Sequence, residues 1–163
     1  MIAPSAQVPA KSVKPRKSKA AITIGWAEYI DLPDLGLIGI KAKIDTGAAT
    51  SSLHATRITP FEQDGQTWVE FWSRAQKGER AKRFRAPLHS QRKIKSSNGL
   101  SETRYVIETQ ITLGETSWLG YITLANRSNM AFPMLIGRRA LRRGFLVNCA
   151  RRYVLGRKVE SDQ

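Results

Sequence analysis

The chain is poor in cysteine, histidine and long apolar runs. Cys149 is the only cysteine among 163 residues, which excludes an intrachain disulfide and any Cys-x-x-Cys redox or metal pair. A lone cysteine usually packs as a small apolar side chain, and scarce cysteine fits a reducing, cytoplasmic setting. Histidine is limited to His54 and His89, without His-x-x-x-His spacing. Zinc wants three or four such ligands at usable spacing, so no metal is expected. No stretch reaches the roughly 20 apolar residues of a membrane span, and residues 1–20 have no apolar run of signal-peptide length. No membrane partner follows from this. Neither a glycine-rich phosphate loop nor a Ser/His/Asp spacing is present, so no nucleotide or other cofactor is expected.

Acidic residues are also few: 13 Asp+Glu against 27 Lys+Arg, a formal charge of +14. The excess is clustered. Residues 1–21 carry Lys11, Lys14, Arg16, Lys17 and Lys19 and no acid. Residues 74–104 hold ten basic residues against Glu79 and Glu102, and residues 138–158 hold eight and no acid. Such a field attracts polyanions, whether nucleic acid, a ribosomal surface or an acidic peptide. Charge alone does not choose among them.

Residues 1–20 combine Pro, Lys, Ser and Ala with few large apolar side chains. They cannot offset their ordering entropy, so a disordered basic tail is expected, and likewise at 159–163. One domain is expected over 21–158. Its signals are mainly those of strands. Ile22–Ile30 is β-rich. Leu37–Ile44 alternates at its end, placing Ile40, Ala42 and Ile44 on one face and Lys41 and Lys43 on the other. Further strands are expected at Trp68–Trp72, at Lys82–Leu88 with Pro87 closing it, and at Ser117–Leu124. Arg92–Lys95 and Thr103–Leu113 flank Ser96-Ser97-Asn98-Gly99, and Asn-Gly is a strong hairpin signal. Thr59–Leu88 is long enough for an extra hairpin. Only Arg138–Arg143 reads as helix, with Gly144 ending it. Phe145–Cys149 and Arg152–Leu155 read as short closing strands. Many short strands and one short C-terminal helix describe a closed all-β domain.

One tripeptide carries chemistry. Asp45-Thr46-Gly47 follows an apolar strand and precedes the small residues Ala48, Ala49, Thr50, Ser51 and Ser52. This sets a carboxylate at a strand end, on a tight turn where Gly47 lets the backbone bend and Thr46 can hold it by side-chain hydrogen bonds. The plain alternative is a structural Asp capping its own turn. Aspartic proteolysis needs two adjacent carboxylates, one ionised to activate water and one protonated to polarise the scissile carbonyl. Asp31, Asp34 and Asp64 lie in turn or surface contexts. A second carboxylate is therefore expected from another copy, with Asp45 facing Asp45 across a two-fold axis.

A later segment, Phe132-Pro133-Met134-Leu135-Ile136-Gly137-Arg138-Arg139-Ala140-Leu141, is an apolar strand, a glycine, a basic residue and a short helix. In this the chain resembles retroviral proteases, where an apolar-apolar-Gly-Arg element packs beneath an Asp-Thr-Gly turn and a hairpin flap lies between the two in sequence. It resembles more closely a bacterial family of retropepsin-like endopeptidases, formerly labelled ATP-dependent zinc proteases, which accompany ATP-grasp ligases that add glutamates to a ribosomal protein. The residues carrying this likeness are Ala42–Ala48, Ser51-Ser52-Leu53-His54-Ala55, Lys95–Gly99, Arg104-Tyr105-Val106-Ile107, Asn126-Arg127-Ser128 and Met134–Arg138. The resemblance implies a closed acid-protease-like barrel acting as a two-fold homodimer, with Asp45 catalytic. It implies support from Thr46, Gly47, Ala48, Gly137 and Arg138, the last at the dimer edge. Lys95, Ser96, Ser97, Asn98 and Gly99 would form the flap and touch substrate. The implied substrate is a peptide, acidic or glutamate-extended, on a ribosomal protein, with ribosome association. The competing reading is a non-catalytic basic β-barrel that binds the ribosome, RNA or another polyanion.

Overall fold

The computed structural model describes residues 20–95 and 98–157. The barrel begins with β2 (Ala27–Leu32), which pairs antiparallel with β3 (Leu37–Ile44) across a 3-10 turn at Pro33–Leu35. Next to β3 lies β10 (Met134–Ile136), parallel to it, then β4 (Ser51–His54), β9 (Thr116–Ala125) and β8 (Ser101–Leu113). A β2–β8 pairing, Asp31 opposite Thr112, closes six strands into a barrel. From β8 the sheet continues outward through β7 (Lys82–Lys95), β6 (Gln66–Ser73) and β5 (Thr56–Gln63). Outside the barrel, β1 (Ile22–Gly25) runs parallel to β11 (Phe145–Asn148). Among the described residues the one α-helix is α1, Arg138–Leu141.

The alternation in β3 places its apolar face in the core: Ile40 and Ala42 are fully buried and Ile44 nearly so, while Lys43 is exposed. Around them pack Ile30, Leu53, Ile107, Ile122, Leu124, Met134 and Ile136. No helix among the described residues is long and apolar enough to cross a membrane.

Several expected elements differ. The Ile22–Ile30 segment is two strands broken at Trp26. The break lies where the chain changes partner, from β11 up to Gly25 to β3 from Ala27, with the Trp26 N–H donating to the Arg151 carbonyl at 2.8 Å. Pro87 does not end its strand; β7 runs to Lys95. Residues 82–87 pair with β6 and residues 88–95 with β8, so Pro87 sits at the hand-over, where a missing N–H costs least. The extra hairpin is a three-stranded extension that sends Val69 and Phe71 into the core. Arg152–Leu155 is not a strand: Tyr153 has φ +52°, its ring stacks on Tyr29, and the Leu155 N–H donates to the buried Glu28 carboxylate at 3.0 Å. The helix is shorter than expected, though Gly144 turns the chain after it with φ +112°. Cys149 is exposed rather than packed, in the turn that follows β11.

Candidate active site

Asp45 stands at the end of β3, where the chain leaves the sheet. Its N–H donates to the Ile136 carbonyl at 2.9 Å, and the Ile44 N–H donates to the Trp26 carbonyl at 2.8 Å. These bonds fix the strand end against β10 and against the junction of β1 and β2. The side chain then orders its own turn: Oδ1 accepts from the Gly47 N–H at 2.9 Å and from the Ala48 N–H at 3.2 Å. Turn-capping and catalytic readings are thus compatible, because the turn ties Oδ1 and not Oδ2. A Cβ on Gly47 would lie 3.2 Å from Asp45 Oδ1, so glycine here keeps the carboxylate uncrowded. Asp45 is half-buried, and Thr46 and Gly47 are exposed.

The turn is held from below by the Gly137–Arg138 element. The Arg138 N–H donates to the Ala48 carbonyl at 2.7 Å and the Arg139 N–H to the Ala49 carbonyl at 3.2 Å. The Arg138 guanidinium donates through Nη1 to the carbonyls of Thr46 and Gly47 at 3.1 and 2.9 Å. Its partners are peptide oxygens of its own chain rather than the carboxylate expected of a structural ion pair. The expected hydrogen-bonding role of the Thr46 side chain falls instead to Asp45 Oδ1 and Arg138, with Thr46 supplying its carbonyl. Gly137 is required by space: a Cβ there would sit 2.6 Å from the Thr50 carbonyl carbon. Its N–H donates to Ser51 Oγ at 3.2 Å.

Two buried side chains near this turn, His54 and Arg127, were not among the expected site residues. His54, on β4, accepts from the Arg127 N–H at 2.9 Å through Nδ1. Arg127 is 8% exposed and donates through Nε to the Phe132 carbonyl at 3.2 Å. Burial lowers its pKa from the ordinary guanidinium value, and the neighbouring Asp45 carboxylate opposes that. Burial, then the cations Arg74 and Arg127, lower the His54 pKa below 6.5, so His54 is neutral. Asn126 Oδ1 accepts from the Ser128 N–H at 3.0 Å, an Asx turn around Arg127, but nothing in the sequence pattern marks that side chain as buried.

The flap position is a hairpin of β7 and β8, paired as far as Lys95 opposite Ser101. Asn98 and Gly99 lie in its turn, with Gly99 at φ +83°. Ser96 and Ser97 lie outside the described residues. Among the described residues no three His, Cys, Asp or Glu side chains gather as a metal cluster. Asp31 is tied to the Gly39 N–H at 2.7 Å, Asp34 belongs to the 3-10 turn, and Asp64 sits at φ +51° between β5 and β6.

A closed barrel whose Asp-Thr-Gly turn rests on a Gly-Arg helix, opposite a hairpin, defines the retropepsin-like class. Residues 23–158 match the family described as retropepsin-like aspartic endopeptidase RimB, and the chain belongs to this RimB-like family. It is 45% identical over 122 residues to a protein of Parasynechococcus marenigrum described as a probable alpha-L-glutamate ligase, covering 74% of this chain and 26% of that one. A Shewanella pealeana protein with the same description is 42% identical over 137 residues, covering 83% of this chain and 30% of the relative. The chain thus spans between a quarter and a third of the length of these relatives. A crystal structure of a Legionella pneumophila protein described as of unknown function matches with TM-score 0.68 and 27% identity, covering 85% of this chain and 99% of that one.

Proposed function

We propose that the chain is one half of an aspartic endopeptidase, in which two copies bring their Asp45 carboxylates together across a two-fold axis. One carboxylate takes a proton from water as it attacks the scissile carbonyl, and the other, protonated, donates to the carbonyl oxygen. The carrying observation is the build of the Asp45 turn. Its backbone is fixed by Arg138 and β10, its Oδ1 by Gly47 and Ala48, and its outer residues are presented to solvent as a half-site requires. Leu100 beside the hairpin tip and Met130 in the 126–133 loop are exposed apolar side chains, in keeping with a surface made for a partner copy or a peptide.

The substrate proposed is an acidic peptide, including a glutamate-extended tail on a ribosomal protein. The charge of +14 supports this, as does the relatives' description as glutamate ligases. That description belongs to much longer proteins. For this chain it supplies only context, since a ligase that lengthens glutamate tails makes the peptide bonds such a peptidase would hydrolyse. Cleavage of an α-glutamate peptide, followed by mass spectrometry, tests the reading. Asp45→Asn should reduce turnover by about a thousandfold or more, and a chelator should leave the wild type active. Full activity in the Asn variant would remove the carboxylate mechanism, and loss on chelation would point to a metal.

A further inference from the structure

A cavity of about 300 Å³ opens beside the Asp45 loop, between it and the lower half of the β7–β8 hairpin. Thr50, five residues beyond Asp45, forms one wall, and Arg139 of α1, whose N–H is bonded to the Ala49 carbonyl, forms the floor. Arg92 and Arg104 come from the hairpin and stand directly opposite one another in register. Like charges opposed across strands are destabilising. No lining residue is Asp or Glu, and none of the three guanidiniums has an ion-pair partner among the described residues. Glu108 does not line the cavity but backs one wall of it: it bonds to Tyr121 and lies 3.9 Å from His89 Nδ1, two lining residues, and has no ion pair with any of the three arginines. Three unpaired guanidiniums from three elements thus converge on a space at the small end of ligand pockets. Its size suits one or two side chains, not a nucleic-acid duplex.

We propose that Arg92, Arg104 and Arg139 form a carboxylate-binding subsite that selects an acidic side chain of a peptide lying along the Asp45 turn. The planar guanidinium forks match carboxylate oxygens bidentately, which a lysine surface would not do. A bound carboxylate also relieves the Arg92–Arg104 repulsion. The subsite makes specificity local to the cleft rather than a property of the whole basic surface. It rests on the peptidase reading for its place along a substrate, but its binding chemistry does not need turnover.

The test reads binding on the Asp45→Asn chain by fluorescence anisotropy, with a short labelled α-glutamate peptide and a glutamine peptide of equal length, at about 0.15 M salt. The glutamate peptide should bind and the glutamine peptide should not. Arg104→Gln and Arg139→Gln should each weaken binding about tenfold, Arg104→Lys should weaken it less, and the distant Lys77→Gln should leave it unchanged. Equal binding in the arginine variants, or an equal loss in Lys77→Gln, would overturn the subsite. So would a single-stranded oligoribonucleotide that displaces the peptide at lower concentration, because it would make the cleft a nucleic-acid site. Arginine-dependent binding with no cleavage by the wild type would retain the subsite and remove the peptidase reading.

Discussion

At the residue scale, the Asp45 turn depends on few contacts, each with a separate consequence. Arg138 is bonded to two carbonyls of the turn, and hydrogen bonds to a charged donor contribute more than neutral ones. Arg138→Ala should lower activity more than it lowers stability, costing about 1.5–3 kcal/mol in denaturant unfolding. Arg138→Lys should restore part of the activity, since both bonds come from the one nitrogen Nη1 and an ammonium has donors enough for two carbonyls. Gly137→Ala inserts a methyl group into the Thr50 backbone, and overpacking costs about 1–3 kcal/mol. Its unfolding midpoint should fall accordingly; an unchanged midpoint would mean that the two segments separate freely. His54 sets a pH dependence. Burial and the two arginines hold its pKa below 6.5, so the unfolded chain binds a proton that the fold resists. This contribution is fully present above pH 6.5 and is lost as pH falls from there through the folded pKa. His54→Asn, which keeps an acceptor for the Arg127 N–H, should flatten that part of the stability curve, as measured by denaturant midpoints between neutral and mildly acid pH.

At the element scale, the legible parts of the fold were those governed by local pattern. The period of two in Leu37–Ile44 identified β3 and its buried face, Asn98-Gly99 marked the hairpin, and Arg138 marked the start of α1, though the helix ends at Leu141, before Gly144. Asp45, Gly47, Gly137 and Arg138 were legible because each sits at the junction of an apolar strand and a small-residue turn. What failed depended on contacts distant in sequence. Pro87 stays in a strand because β7 changes partners there. Arg152–Leu155 looks like a strand, yet its backbone follows Tyr29 and the buried Glu28. Likewise β4 was invisible as a strand: Ser51-Ser52-Leu53-His54 has little strand propensity and is held by pairing with β9 and β10. The burial of Arg127 and His54 was equally hidden, since charged residues are seldom placed inside by pattern. The β5–β7 extension joins the core through Phe71, which is fully buried. Phe71→Ala should therefore cost about 3–5 kcal/mol, and unfolding should remain one cooperative transition. A small change, or a separate early transition, would mean that the extension is an independent appendage.

At the scale of the whole molecule, one chain presents one Asp-Thr-Gly turn, and the proposed chemistry needs two carboxylates. Half of the site must then come from a second copy, so specific activity should fall on dilution as dimers dissociate. The charge of +14 works against close approach of two copies, and an acidic peptide in the cleft would offset that repulsion. Peptide should therefore promote association, which sedimentation with and without a short α-glutamate peptide would show. The most direct measurement mixes wild-type chain with Asp45→Asn chain in equal amounts, at constant total concentration and after exchange, and follows peptide cleavage. If each site needs Asp45 from both copies, random pairing leaves about a quarter of the dimers active and the rate falls to about a quarter of the wild-type rate. A rate of about one half would show that each copy acts by itself, and would contradict the shared site.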